Sequence, residues 1–236
     1  WQYVPLALPQ QKHKTGFMNN LRTKARIFGV LFILAFLFYG IGSGMVDELA
    51  ASPDALAQIA NNKAQAVTGI ILLVVLHSIG NIGLAVIMFS IVRQYSTAKA
   101  YGYLLFAIMA TVLLTVGGVF LWQLLPMSDV YASATNKDCM QQLVAVCRQG
   151  NVVSYQLGMA MWAVGGMLLT AILYKTQLVP RWLSIWGMVG YIIFFAGTIA
   201  ELFQQHIGVA LSLPGGLFEI VLGIRAIVKG FNTVAN

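Results

Sequence analysis

Long uncharged stretches of apolar residues recur six times along the chain. A helix needs about 20 apolar residues to cross the hydrocarbon core of a bilayer. Unbroken runs predict helices, because barrel strands would alternate between apolar and polar residues. The last stretch is expected to begin near Leu213 or Pro214, since proline suits the first turn of a helix. The predicted spans are 27–46 and 182–200, stretches within 64–92, 100–128 and 149–174, and a last span ending near 229.

Composition agrees with this pattern and excludes a water-soluble domain. Of the 236 residues, 59% are hydrophobic and 9% are charged, and the mean hydropathy is +0.80. Soluble domains are about 45–50% apolar and about 25% charged. So apolar a chain is also unlike a disordered one. The sequence predicts an all-α fold, a polytopic membrane protein built as a single six-transmembrane-helix bundle.

The charged residues predict the orientation of the bundle. Eleven of the 14 Lys and Arg residues fall on one side of the predicted spans, and three, Lys63, Lys137 and Arg148, fall on the other. The positive-inside rule then places both termini in the cytoplasm. The net charge of +7 is explained by this topology. No basic run is interleaved with aromatic residues, so no nucleic-acid partner is expected.

Residues 1–17 precede the first membrane domain and do not resemble a signal peptide, because no basic start leads into a sustained apolar core. Met18 opens a short basic segment that leads into the first span. We therefore expect Met18 to be the native start, with 1–17 as an amino-terminal extension that is either cytoplasmic or not native. The transmembrane domain is predicted to comprise 18–236.

Three segments resemble a family of bacterial membrane proteins known as domain of unknown function 4386. They are KARIFGVL at 24–31, VPRWLSIWGMVG at 179–190 and LFEIVLGIRAIVKGF at 217–231. The resemblance covers about 18–232. It implies six helices in the bacterial inner membrane, and it implies neither an activity nor any catalytic residue.

Polar residues inside two predicted spans are the candidate ligand or proton site. Glu219 lies within the sixth span, where an ionisable group should face protein or water. His77, Ser78 and Asn81 form a polar patch within the second span, because residues three and four apart share a helix face. We hypothesise that Glu219 approaches His77 or Asn81 across a helix pair. The alternative is that these residues are interhelical hydrogen-bonding contacts without a further role.

Cys139 and Cys147 are the only cysteines, and both fall in the predicted outer loop at 126–150. Because the extracytoplasmic space is oxidising, we expect a disulfide between them. On one continuous helix, eight residues would separate them by about 12 Å, beyond the reach of about 7 Å between bridged Cα atoms. The disulfide therefore requires a bent loop.

No motif of a hydrolase, a nucleotide-binding protein or a haem protein is present, and no cofactor or metal is expected. Whether the protein is an enzyme stays open, although the missing constellations argue against it. Two functions remain: a small transporter or binder of an ion or apolar small molecule, and a non-catalytic accessory subunit. The expected partners are the lipid bilayer and either a membrane protein or a second copy of the chain. A transporter should have a cavity that reaches Glu219, whereas an accessory subunit should have a closed core.

Overall fold

The computed structural model describes residues 10–205 and 207–232, and this part of the chain is helical without a strand. A π-helical segment, Ile71–Leu76, joins α3 to α4, and a 3-10 turn, Tyr131–Ser133, follows α6. The helices are α1 (Gln10–Ala50), α2 (Ala55–Asn61), α3 (Lys63–Ile70), α4 (His77–Val92), α5 (Thr97–Trp122), α6 (Leu124–Val130), α7 (Lys137–Thr176), α8 (Arg181–Leu202) and α9 (Gly208–Val228).

Six helical stretches in the described residues are long and apolar enough to cross a membrane, which confirms the predicted six-helix bundle. All six carry large apolar side chains on the outer surface, as expected where lipid replaces water. The six stretches are Asn20–Ala50, Lys63–Val92, Thr97–Ser133, Lys137–Thr176, Arg181–Leu202 and Ala210–Val228.

The spans pack in chain order, and α9 closes the ring against α1. A glycine on each helix, Gly29 and Gly223, lets α1 and α9 approach closely. Further along, Gly230 lies against Arg22, so the start of the first span and the end of the last share one end of the bundle. We call this the terminal end and the opposite one the far end. Which end faces the cytoplasm stays a prediction.

A small cap of short helices closes the far end. Leu56 and Ile59 of α2 and Leu124 of α6 are buried there against the ends of the longer helices. Lys63 and Asp129 form an ion pair at 2.7 Å on the outside of this cap. Because both side chains are about half exposed, the pair contributes at most about 1 kcal/mol, and the apolar contacts hold the cap together.

The expected boundaries were wrong in two places. The last helix begins at Gly208 rather than near Pro214, which lies inside α9. Proline is tolerated there because neighbouring helices in a membrane protein satisfy the freed backbone groups. The extension at 1–17 is only partly described: 1–9 lie outside the described residues, and α1 runs without a break from Gln10 through Met18. The expected native start at Met18 stays a prediction.

The predicted disulfide is also wrong, because the outer loop is largely helical. Helix α7 begins at Lys137, where the Asn136 side chain accepts a hydrogen bond from the Cys139 backbone N–H at 3.0 Å. Asp138 in the first turn favours this helix start electrostatically. Cys139 and Cys147 therefore lie on one continuous helix, about 12 Å apart, and both are free thiols.

We predict that the protein carries two free thiols when purified without reductant. Cys139 is exposed and should react quickly with a maleimide, whereas the half-buried Cys147 should react more slowly. Mass spectrometry of the labelled protein would count the modified thiols. Two labels are expected on the native protein, and a protein that takes up label only after reduction would contradict the structure.

Candidate functional site: a carboxyl group in an aromatic cavity

The centre of the site is the carboxyl group of Glu219 on α9, which is 5% exposed. Its Oε1 atom accepts two hydrogen bonds, from Trp162 Nε1 of α7 at 2.6 Å and from the Tyr191 hydroxyl of α8 at 2.7 Å. Both donors are themselves buried and uncharged. One carboxyl oxygen therefore joins three spans, and neither donor bonds the other oxygen, Oε2.

Glycine residues make room for this arrangement. A side chain at Gly166 of α7 would overlap the Tyr191 ring, so only glycine lets this ring lie between α7 and Glu219. A Cβ atom at Gly190 would lie 3.1 Å from the backbone of Gly215, so α8 and α9 approach closely there. The Pro214 carbonyl oxygen accepts a hydrogen bond from Trp186 Nε1 at 3.1 Å and fixes the same crossing. Tyr191 and Glu219 meet one turn away from this contact.

Glu219 lines a cavity of about 210 Å³ inside the ring of spans. Six aromatic side chains contribute to its wall: Phe32, Phe36, Tyr39, Tyr155, Trp162 and Phe194. They form close pairs, with ring centroids 5.5 Å apart for Tyr39 and Tyr155 and 6.3 Å apart for Phe32 and Trp162. Glu219 is the one carboxylate among the described lining residues, none of which is Lys or Arg.

His77 and Asn81 line the same cavity, opposite in role to Glu219. The Nδ1–H of His77 donates to the Ala35 carbonyl oxygen of α1 at 3.0 Å, because a carbonyl can only accept. Nε2 is then the acceptor and takes a hydrogen bond from Asn81 Nδ2 at 3.0 Å. The neutral imidazole thus has both nitrogens occupied. This network holds α4 against α1 and shapes the wall of the cavity.

The structure brings together three of the four residues predicted for the ligand or proton site. Glu219, His77 and Asn81 share one cavity, although the hydrogen bonds of Glu219 go to Trp162 and Tyr191 rather than to the α4 pair. Ser78 points elsewhere and lies 3.4 Å from the Thr115 hydroxyl of α5. Sequence reasoning missed Trp162, Tyr191 and the aromatic wall. Aromatic residues with a polar atom in mid-span were the available signal.

The described residues contain no group of three or more His, Cys, Asp and Glu side chains that could hold a metal ion. A metal such as Mg²⁺ or Ca²⁺ needs about six oxygen ligands, and Glu219 alone provides two. The arrangement offers a hydrogen-bonded carboxylate beside aromatic faces. That chemistry suits a cation large enough to contact the rings.

Comparison with known proteins places the chain in a family. A family described as domain of unknown function (DUF4386) matches residues 27–230, nearly the whole chain, and the protein belongs to this family. This confirms the resemblance seen in the three sequence segments. No curated protein and no solved structure matches the chain.

We predict that Tyr191→Phe destabilises the bundle, because Glu219 loses one of two donors in a water-poor interior. Interhelical hydrogen bonds in membranes average about 0.6 kcal/mol with a maximum near 1.7, and a carboxyl acceptor favours the upper value. A loss of about 1.5 kcal/mol in the free energy of unfolding is expected. Equilibrium unfolding in mixed detergent and SDS micelles would measure it.

Tyr103→Phe is the matched control for this measurement. Tyr103 is 3% exposed on α5, and its hydroxyl makes no hydrogen bond to another described residue. Its removal should change the free energy of unfolding by less than about 0.5 kcal/mol. Equal losses for both variants would show that the bond to Glu219 contributes nothing specific.

Proposed function

We propose that this membrane protein binds a small organic cation in the Glu219 cavity and serves as a binder or carrier for it. The observation that supports this proposal is the pairing of one buried carboxyl group, without a cationic partner among the lining residues, with six aromatic side chains.

The carboxyl group favours a charged ligand. A carboxylate in an apolar interior is stable only if a proton or a cation neutralises it, because its desolvation is costly. The two donors satisfy Oε1, and neither brings a positive charge. Oε2 is left for an occupant of the cavity. A purely apolar ligand would leave this oxygen without a partner.

The aromatic wall favours an organic cation over an inorganic one. A cation within about 6 Å of a ring centroid is attracted by the negative face of the ring, by about 2 kcal/mol or more when it is desolvated. Substituted ammonium groups suit such a site, because their alkyl groups also contact the rings. Small hydrated metal ions would lose their water without gaining enough oxygen ligands.

The volume of the cavity limits the size of the ligand. An engineered apolar cavity of about 150 Å³ in another protein holds benzene. A cavity of about 210 Å³ therefore has room for one aromatic ring and a small ammonium group. Larger dye-like cations would require the helices to move apart.

An opening between α1 and α9 provides a route into this cavity. Phe36 and Gly40 of α1 both line the cavity and are exposed on the surface of the bundle. A Cβ atom at Gly40 or at Gly216 of α9 would meet no atom within 4 Å, so both helices are open at this level. An amphiphilic cation dissolved in the bilayer would reach Glu219 through this gap.

The proposal includes a location in the bacterial inner membrane with the terminal end in the cytoplasm. It rests on the excess of Lys and Arg near that end. The accessory-subunit function is the alternative, and it would leave the cavity without a ligand of its own.

We predict that the protein in lipid nanodiscs binds benzyltrimethylammonium and that Glu219→Gln weakens this binding at least tenfold. Glutamine keeps the shape and an oxygen that can accept both hydrogen bonds, but it removes the charge. Hydrogen bonds to charged groups are worth about 1.5–3 kcal/mol, and about 1.4 kcal/mol corresponds to a tenfold change in Kd. Isothermal titration calorimetry would measure the Kd.

Two controls make this titration decisive. Glu48→Gln removes a carboxylate at the far end, which hydrogen-bonds Gln65 outside the cavity, and should leave the Kd unchanged. Neopentylbenzene has the shape of the probe without its charge and should bind more weakly. Equal binding of both compounds, unaffected by Glu219→Gln, would favour an apolar ligand. No binding of either would favour the accessory function.

A second prediction concerns the space beside Glu219. Gly216 lies one turn before Glu219 on α9 and lines the cavity, so Gly216→Leu should fill part of it and abolish binding of the probe. Gly44→Leu is the matched control, because Gly44 also has open space around it but lies outside the cavity lining. Both variants should fold, and equal affinities would place the probe elsewhere.

A further inference from the structure

A groove on the outside of the bundle lies between α8 and α9 at the terminal end and is separate from the Glu219 cavity. It has a volume of about 430 Å³, and most of its wall is apolar. Trp182, Ile224 and Val228 are each more than half exposed along it. On a membrane-spanning bundle, these side chains face lipid rather than water.

Two cations stand at the end of this groove. Arg225 and Lys229 are four residues apart on α9, so they lie on one face of the helix. None of the described residues that line the groove is Asp or Glu. Arg181, at the start of α8, adds a third positive charge nearby. The groove therefore combines an apolar floor with a positive rim.

The chain holds the Arg225 side chain in place. Its Nη2 atom donates to Asn232 Oδ1 at 2.8 Å, and Asn232 in turn donates from Nδ2 to the Gln177 carbonyl oxygen at 2.9 Å. Arg225 Nε is buried and has no hydrogen-bond partner among the described residues. Buried donors are nearly always paired, so a fixed guanidinium with an unused N–H indicates an acceptor that comes from outside the chain.

We propose that this groove binds one anionic phospholipid, with its phosphate on Arg225 and Lys229 and an acyl chain along the apolar floor. Arginine presents a planar set of donors that matches the oxygens of a phosphate. Basic pockets between transmembrane helices are typical sites for anionic headgroups. Trp182 lies at the level of the rim, where tryptophan commonly contacts the headgroup region.

The apolar floor distinguishes a lipid from a soluble phosphate. A free anion would use only the rim, and it would have to enter a site that faces hydrocarbon along most of its length. A phospholipid occupies both parts at once. The site is independent of the proposed cation binding, because it shares no residue with the Glu219 cavity.

Native mass spectrometry of the detergent-solubilised full chain, titrated with phosphatidylglycerol or phosphatidylcholine of equal chain length, tests this proposal. The wild type should bind one phosphatidylglycerol at least about tenfold more tightly than phosphatidylcholine, as expected for charge-assisted hydrogen bonds. Arg225→Gln should remove this preference. Lys229→Gln, at an exposed position, should reduce it and keeps the test valid if Arg225→Gln fails to fold.

Arg93→Gln is the matched control, since Arg93 is an exposed cation at the terminal end, outside the groove. It should leave the preference unchanged. The proposal is overturned if both lipids bind equally, or if Arg93→Gln lowers the preference as much as Arg225→Gln. Displacement of the lipid by inorganic phosphate would also overturn it, since the site would then recognise a free anion.

Discussion

The cost of placing a carboxyl group among apolar helices is the constraint on which the rest of the structure depends. Glu219 is satisfied by two uncharged donors, one from α7 and one from α8. Three spans must therefore meet at fixed heights and angles around a single oxygen atom. A displacement of any of them would leave a buried polar group unpaired, at a cost of about 1–3 kcal/mol.

The packing around Glu219 follows from this requirement. Gly166 leaves space for the Tyr191 ring, and Gly190 lets α8 lie directly against the Pro214–Gly215 part of α9. On the other side of the cavity, His77 and Asn81 hold α4 against α1 by hydrogen bonds that use both ring nitrogens. The interior is thus closely packed at the helix contacts and open only beside Oε2 and the aromatic wall.

Much of the fold was predictable because the bilayer imposes a length and a composition on each span. Six apolar runs gave six helices, and Glu219 and the His77–Asn81 pair were identified as unusual from their depth alone. The length of α7 was missed, since its polar first turns lack the apolar pattern, although Asn136 and Asp138 are typical of a helix start. The disulfide failed for the same reason.

The partners of Glu219 were not predictable from one sequence. Trp162 and Tyr191 lie 57 and 28 residues away along the chain, and which spans become neighbours depends on how the ring closes. The π-helical segment before His77 adds to this difficulty. Such a segment fits an extra residue into a turn and changes the face on which the following residues lie, so ideal helical spacing does not show where they point.

The most direct test of the central claim is a crystal structure of the protein with benzyltrimethylarsonium, in which the arsenic atom is located by its anomalous scattering. The account predicts one arsenic site inside the ring of spans, beside Glu219 Oε2 and within about 6 Å of the surrounding ring centroids. An arsenic site outside the bundle, or a cavity that stays without the cation at saturating concentration, would contradict it.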